Sequence, residues 1–196
     1  TAGDFSLDSP EFQLTVSPEV ASTTMQVGEM LISSEGPLNP YYNHSVSQVI
    51  YPADALGISA NTDITGMHYF AYLSGATSGR MRVWMENTSD TGYNTINPVA
   101  RDTEDMTLVF DSNINQEAVG TTSSIDAMAD IFRLNFDEPF TYTGGNLRLM
   151  IQFDNTSGSY KNAFWAFDNS YRPDSDKMIK FQTDRDLDDL DLDWNW

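Results

Sequence analysis

Short stretches in which apolar and polar residues alternate run along most of the chain. The clearest covers residues 146–154, where Leu147, Leu149, Ile151 and Phe153 alternate with mostly polar neighbours. Because successive side chains of a β-strand point to opposite faces, this pattern predicts a strand with one buried face. The other strands predicted in this way cover residues 25–34, 46–51, 66–73, 80–87, 106–110, 131–136, 162–167 and 177–182.

Turn-forming residues separate these strands, and helical periodicity is nearly absent. Glycine, asparagine and serine cluster at residues 74–79, 88–92, 141–145 and 155–158. The one helical turn predicted is at residues 52–56, where Pro52 suits the first turn and Gly57 the stop. Many short strands with such spacing predict an all-β fold, a two-sheet antiparallel β-sandwich of the jelly-roll-like kind. We expect residues 1–24 to be a linker or edge segment, residues 25–183 the sandwich domain and residues 184–196 an acidic tail.

Charge and composition narrow the classes of partner. The 196 residues carry a formal net charge of −19, which repels the phosphates of nucleic acids and anionic lipid head groups. No apolar stretch approaches the roughly 18 residues that a membrane-spanning helix needs, so we expect no membrane insertion. The chain has no cysteine, which excludes disulfides, thiolate metal sites and a cysteine nucleophile.

Catalytic motifs are missing from the sequence. Of the two histidines, His44 and His68, neither lies in an HExxH motif, and no GxSxG motif occurs. We interpret His68 as a half-buried residue of a sheet, and we predict no catalytic residue. A glycan hydrolase with two carboxylates stays open as an alternative, because some pair among 29 acidic residues will lie close together.

Three aspartates in the tail have the spacing of calcium ligands. Asp184, Asp186 and Asp188 occupy the first, third and fifth positions of a calcium-binding loop, although Asp189 stands where such loops carry glycine. These three residues are the predicted metal ligands, with Ca²⁺ as the expected cofactor. A solvated acidic segment is the alternative.

Aromatic residues provide the candidate ligand contacts. The pattern places Arg82, Trp84 and Glu86 on one face of a strand, opposite a more apolar face. An exposed ring there would stack against a sugar, whereas a loop or the other sheet could instead cover Trp84 and make it part of the core. Loops carry further tyrosines, namely Tyr93, Tyr160 and Tyr171, which can bind a ligand or pack on the end of the sandwich. The predicted ligand-binding residues are Arg82, Trp84, Glu86, Tyr41, Tyr42 and Trp165.

Four segments of the chain are similar to a module of secreted and surface proteins of Bacteroidetes. They read PYYNHSVSQVIYPADALG, ITGMHYFAYLSG, RMRVWMENT and FDEPFTYTGGNLRLMIQFDNTSGSY, and the phrase at residues 140–158 is the most specific. The resemblance covers residues 30–181. It implies a jelly-roll-like β-sandwich that accompanies adhesins, peptidases and glycan-processing proteins without catalysing a reaction itself, and it implies a secreted or cell-surface location.

The sequence thus supports three hypotheses. The first is a carbohydrate-binding or adhesin-like module that recognises a glycan or a surface protein, with calcium as a structural ion and other domains of the same polypeptide as further partners. The second is a structural spacer or assembly subunit of a surface protein, and the third is the glycan hydrolase.

Overall fold

Two antiparallel β-sheets form the body of the protein. The computed structural model describes residues 27, 31–33, 36–94, 102–119, 128–158, 160–167 and 176–185. Its strands are β1 (Leu31–Ser33), β2 (His44–Tyr51), β3 (Thr62–Leu73), β4 (Thr77–Thr88), β5 (Thr107–Gln116), β6 (Ala129–Tyr142), β7 (Asn146–Asn155), β8 (Ala163–Phe167) and β9 (Met178–Thr183). One helical turn, α1 (Ala53–Leu56), and one 3-10 turn, Thr103–Asp105, complete the elements of the described residues.

The strand order confirms the predicted all-β sandwich. One sheet has the order β1-β8-β3-β6 and the other β5-β4-β7-β2-β9, with antiparallel pairing throughout the described ladders. Gly57 has a φ of 64° and ends α1 in the left-handed conformation, as the sequence predicts. Among the residues that the structure describes, no helix is long and apolar enough to cross a membrane.

The alternating residues of the two sheets meet in one core. Val83, Ile151 and Val49 come from the five-stranded sheet, and Ala71 and Ile131 come from the four-stranded sheet. All five are at most 2% exposed. Burial of such side chains is the main favourable contribution to folding, and it fixes the register of each strand because a slip by one residue would turn its apolar set to solvent.

Trp165 is the largest side chain of this core. It is 1% exposed, its ring stacks on Phe132 with centroids 5.9 Å apart, and it meets Tyr69 edge-on at 5.7 Å. Gly36 lies directly against the ring, since a Cβ at that position would come within 2.1 Å of the Trp165 Cδ1 atom. Trp165 therefore belongs to the packing of the sandwich, which argues against the predicted role in ligand contact.

Phe132 reaches this position through an irregularity in β6. Its φ of 49° is unusual for a bulky residue, and the pairing of β3 with β6 shifts between Met67 and Tyr69. The bulge allows Ile131 and Phe132, although adjacent, both to be buried. The displaced Phe132 amide donates to the Gln116 side-chain oxygen at 2.9 Å, which replaces a hydrogen bond of the regular ladder.

Removal of the Trp165 ring should destabilise the protein. We expect Trp165→Ala to lower the free energy of unfolding by about 3–5 kcal/mol, because it removes a fully buried ring and leaves a cavity. Urea unfolding followed by circular dichroism measures this loss. The matched control is Leu108→Ala, since Leu108 is 44% exposed and should change stability little. An equal effect of the two substitutions would contradict this account of the core.

Candidate functional site

Arg82, Trp84 and Glu86 share the outward face of β4, as predicted, but this face is covered. Trp84 is half-buried and packs on a small cluster formed by Val46, Met106 and Met150. The Arg82 guanidinium lies over the Trp84 ring, 5.8 Å from its centroid. The structure therefore favours the alternative in which Trp84 is packed, and the ring does not present an open stacking surface.

Residues 88–94, which we call the strap, cross this outward face. Arg148, which is 2% exposed, is the residue that holds the strap, because its guanidinium donates both to Glu86 on β4 and to Asp90 in the strap. The Tyr93 hydroxyl donates to Gln48 at 3.3 Å. Burial raises the pKa of Tyr93 to about 12. Glu86 is thus committed to an internal ion pair rather than to a ligand.

An exposed group of three tyrosines lies at one end of the sandwich. Tyr41 and Tyr42 lie in the loop before β2, and Tyr160 lies in the loop after β7. The Tyr41 ring centroid is 4.8 Å from that of Tyr160 and 5.5 Å from that of Tyr42. Tyr160 is 62% exposed and Tyr41 44%, so two of these rings offer much of their surface to solvent. We call these three residues the tyrosine cluster.

Hydrogen bonds fix the loop that carries Tyr41 and Tyr42. Asn39 begins a turn in which its side-chain oxygen accepts from the Tyr41 amide at 3.1 Å and its carbonyl accepts from the Tyr42 amide at 3.2 Å. The Asn39 amide in turn donates to the Ser45 hydroxyl at 3.1 Å. From the end of β7, the Asn155 side chain donates to the Pro40 carbonyl at 2.8 Å. The loop that carries Tyr41 and Tyr42 is therefore held in place before any ligand arrives, which lowers the entropic cost of binding.

The first of the predicted calcium ligands lies beside this cluster. Asp184 is exposed, and its side chain accepts from the Asn43 amide at 3.1 Å. Asp186 and Asp188 lie outside the described residues, so calcium binding by the three aspartates stays a prediction. Within the described part of the chain, no group of three or more histidine and acidic side chains is arranged to hold a metal ion.

A set of polar side chains at the ends of the neighbouring strands lies next to the tyrosine cluster. It was not predicted from the sequence. Asp154 accepts from His44 Nδ1 at 2.9 Å, from Arg82 at 2.9 Å and from Gln152 at 3.2 Å. Burial alone would raise the pKa of Asp154, but the hydrogen bonds from His44, Gln152 and Arg82 outweigh it and hold the pKa below the usual range. Arg82 thus orders this group instead of standing free for a ligand. The sequence offered no signal for it, because the partners come from three separate strands.

His68 lies on the outward face of the other sheet. It is half-buried, as predicted, and its ring meets Phe70 edge-on with centroids 5.6 Å apart. Burial, followed by the positive charge of Arg133, lowers the pKa of His68.

Comparison of the chain with family models, with curated proteins and with solved structures gives no match. Membership of the Bacteroidetes module therefore stays a prediction that rests on the quoted segments.

Loss of the Asp154 carboxylate should destabilise the protein in a pH-dependent manner. We expect Asp154→Asn to lower the free energy of unfolding at pH 7 by about 1 kcal/mol, because it weakens three hydrogen bonds to a charged acceptor. An aspartate with a depressed folded pKa stabilises above its unfolded pKa of about 4 and loses that contribution as the pH falls through the folded pKa. The difference between wild type and variant should therefore persist at about pH 5 and narrow below about pH 4.

Urea unfolding at a series of pH values measures this difference. Asp111→Asn is the matched control, since Asp111 also pairs with an arginine, Arg80, whose side chain is 53% exposed, and ion pairs open to solvent in this way contribute little. A difference that did not depend on pH would contradict the assigned role of the Asp154 charge.

Proposed function

We propose that this chain is a non-catalytic module of a secreted or cell-surface protein and that it binds a glycan at the tyrosine cluster. The observation that carries the proposal is the exposed pair of rings at Tyr41 and Tyr160, whose centroids lie 4.8 Å apart and of which Tyr41 lies in a hydrogen-bonded turn. The secreted or cell-surface location is supported by the resemblance of residues 30–181 alone.

The chemistry of the cluster suits a sugar. A pyranose ring has an apolar face of C–H groups that packs on aromatic rings, and a tyrosine adds a hydroxyl that can donate or accept. Tyrosine also contributes a large contact area at a small cost in side-chain entropy. Asn43 and Asp184, both exposed beside the cluster, supply further polar groups for sugar hydroxyls.

Electrostatics narrow the class of glycan. The net charge of −19 repels uronate-rich and sulfated polysaccharides over distances up to the Debye length, about 8 Å at physiological salt. Neutral glycans are therefore the ligands that we expect.

Removal of the most exposed ring should weaken binding. We expect Tyr160→Ala to reduce affinity for a neutral glycan at least tenfold, about 1.4 kcal/mol, as is common when a tyrosine is removed from a binding surface. Calorimetry with the oligosaccharides that score on a glycan array measures the change. Leu108→Ala is the control, because Leu108 is an exposed apolar residue on the edge strand β5. Equal affinity of wild type and Tyr160→Ala would overturn the assignment of the cluster.

Measurements on the same wild-type and variant proteins distinguish this proposal from the two alternatives, a structural subunit and a glycan hydrolase. A spacer or assembly subunit would bind no glycan and would self-associate in light scattering, and its association at this charge would require salt or calcium. A hydrolase would release shorter sugars during the titration, and a carboxylate substitution would abolish that release.

A further inference from the structure

A second group of aromatic side chains lies on the outward face of the four-stranded sheet. His68, Phe70 and Tyr72 alternate along β3, and Phe164 stands beside Tyr72 on β8. The Tyr72 and Phe164 ring centroids are 6.1 Å apart, and those of His68 and Phe70 are 5.6 Å apart. We call these four residues the aromatic row.

The aromatic row departs from what a solvent-facing sheet usually carries. Antiparallel sheets place polar residues on their wet face, whereas here the outward positions of β3 are aromatic. Phe70 is 36% exposed and is one of four large hydrophobic residues of the described chain that are exposed; Tyr41 and Tyr160 of the tyrosine cluster are two others. An exposed aromatic group on a rigid sheet is a typical mark of an interaction surface.

Polar groups border the row. Arg133 on β6 is exposed and close enough to His68 to lower its pKa, although burial contributes more to that shift. At the other end, the Lys161 side chain lies close to Gly75, which follows β3, since a Cβ at that position would come within 2.9 Å of the Lys161 Cδ atom. Together with the Tyr72 hydroxyl, these groups can hydrogen-bond a ligand whose flat faces rest on the rings.

The exposed area is too small for a stable contact with a second copy. An aromatic side chain presents about 200 Å², and Phe70, the most exposed of the four, offers about a third of that, so the whole row offers at most about 300 Å². A stable protein–protein interface buries about 800 Å² per partner. A narrow chain that lies along β3 fits this area better than a folded protein does.

We propose that the aromatic row is a second binding surface, which holds an extended neutral glycan along β3. The proposal rests on the proposed function, because it assigns the same class of ligand to a different face of the sandwich. Two surfaces on one chain would also raise the affinity for a polymer above that for a short oligosaccharide, because the second contact becomes intramolecular.

The test uses the full chain and a panel of cellohexaose, xylohexaose, mannohexaose and chitohexaose, each measured by calorimetry. For the hexasaccharide that binds, we expect two sites per chain in the wild type, one in Phe70→Ala, one in Tyr160→Ala and none in the double variant. Phe70→Tyr keeps a ring and should keep both sites. For the corresponding polysaccharide, affinity electrophoresis should give at least a tenfold loss with either single variant.

Each outcome separates the two proposals. Unchanged stoichiometry in Phe70→Ala, with a site lost in Tyr160→Ala, overturns the aromatic row alone. A site lost in Phe70→Ala, with unchanged stoichiometry in Tyr160→Ala, overturns the assignment of the tyrosine cluster and supports that of the aromatic row. Absence of binding by the wild type to the whole panel overturns both. Light scattering that finds a dimer, which Phe70→Ala dissociates, overturns the glycan assignment in favour of an interface between copies.

Discussion

The packing of Trp165 between the two sheets is the contact on which the rest of the structure depends. The ring requires a glycine at position 36, and it spreads beside Ala71, whose small side chain leaves room on the middle strand β3. It also requires Phe132 to enter the core through a left-handed bulge. Three separate parts of the chain are thus fitted to one side chain, and close packing of this kind excludes alternative registers.

Alternation predicted the fold well where a strand has one buried face. Residues 146–154 form β7 almost as predicted, because neighbours on both sides fix its register. Two edge strands, β5 and β6, were longer than predicted, since residues 111–116 of β5 are mostly polar and residues 137–139 of β6 are two acidic residues and a proline. An edge strand needs partners on one side only, so Pro139 is tolerated where β6 skips four residues in its pairing with β3.

The candidate site could be predicted only in part, for a related reason. Alternation shows which side chains share a face, and it correctly placed Arg82, Trp84 and Glu86 together. It does not show what packs on that face: Met106 and Met150 pack on Trp84, and the strap is tied to Glu86 through Arg148, a buried cation paired with two carboxylates. Loss of either carboxylate would leave guanidinium N–H groups of Arg148 without an acceptor in a poorly solvated place, which is why the strap and the sheet are coupled. The meeting of Tyr160 with Tyr41 depends on the pairing of β2 with β7, which no local pattern encodes.

The strap and the core together determine which aromatic residues remain available. Trp165 is enclosed between the sheets, and Trp84 is packed beneath Arg82. Among the residues that the structure describes, the exposed rings that remain lie at the end of the sandwich and on the outward face of β3. Only three residues lie between Tyr160 of the tyrosine cluster and Phe164 of the aromatic row, so the segment that leads into β8 connects the two surfaces directly. Any shift of that segment would move both surfaces at once, and the packing of Trp165 one residue further on holds it in place.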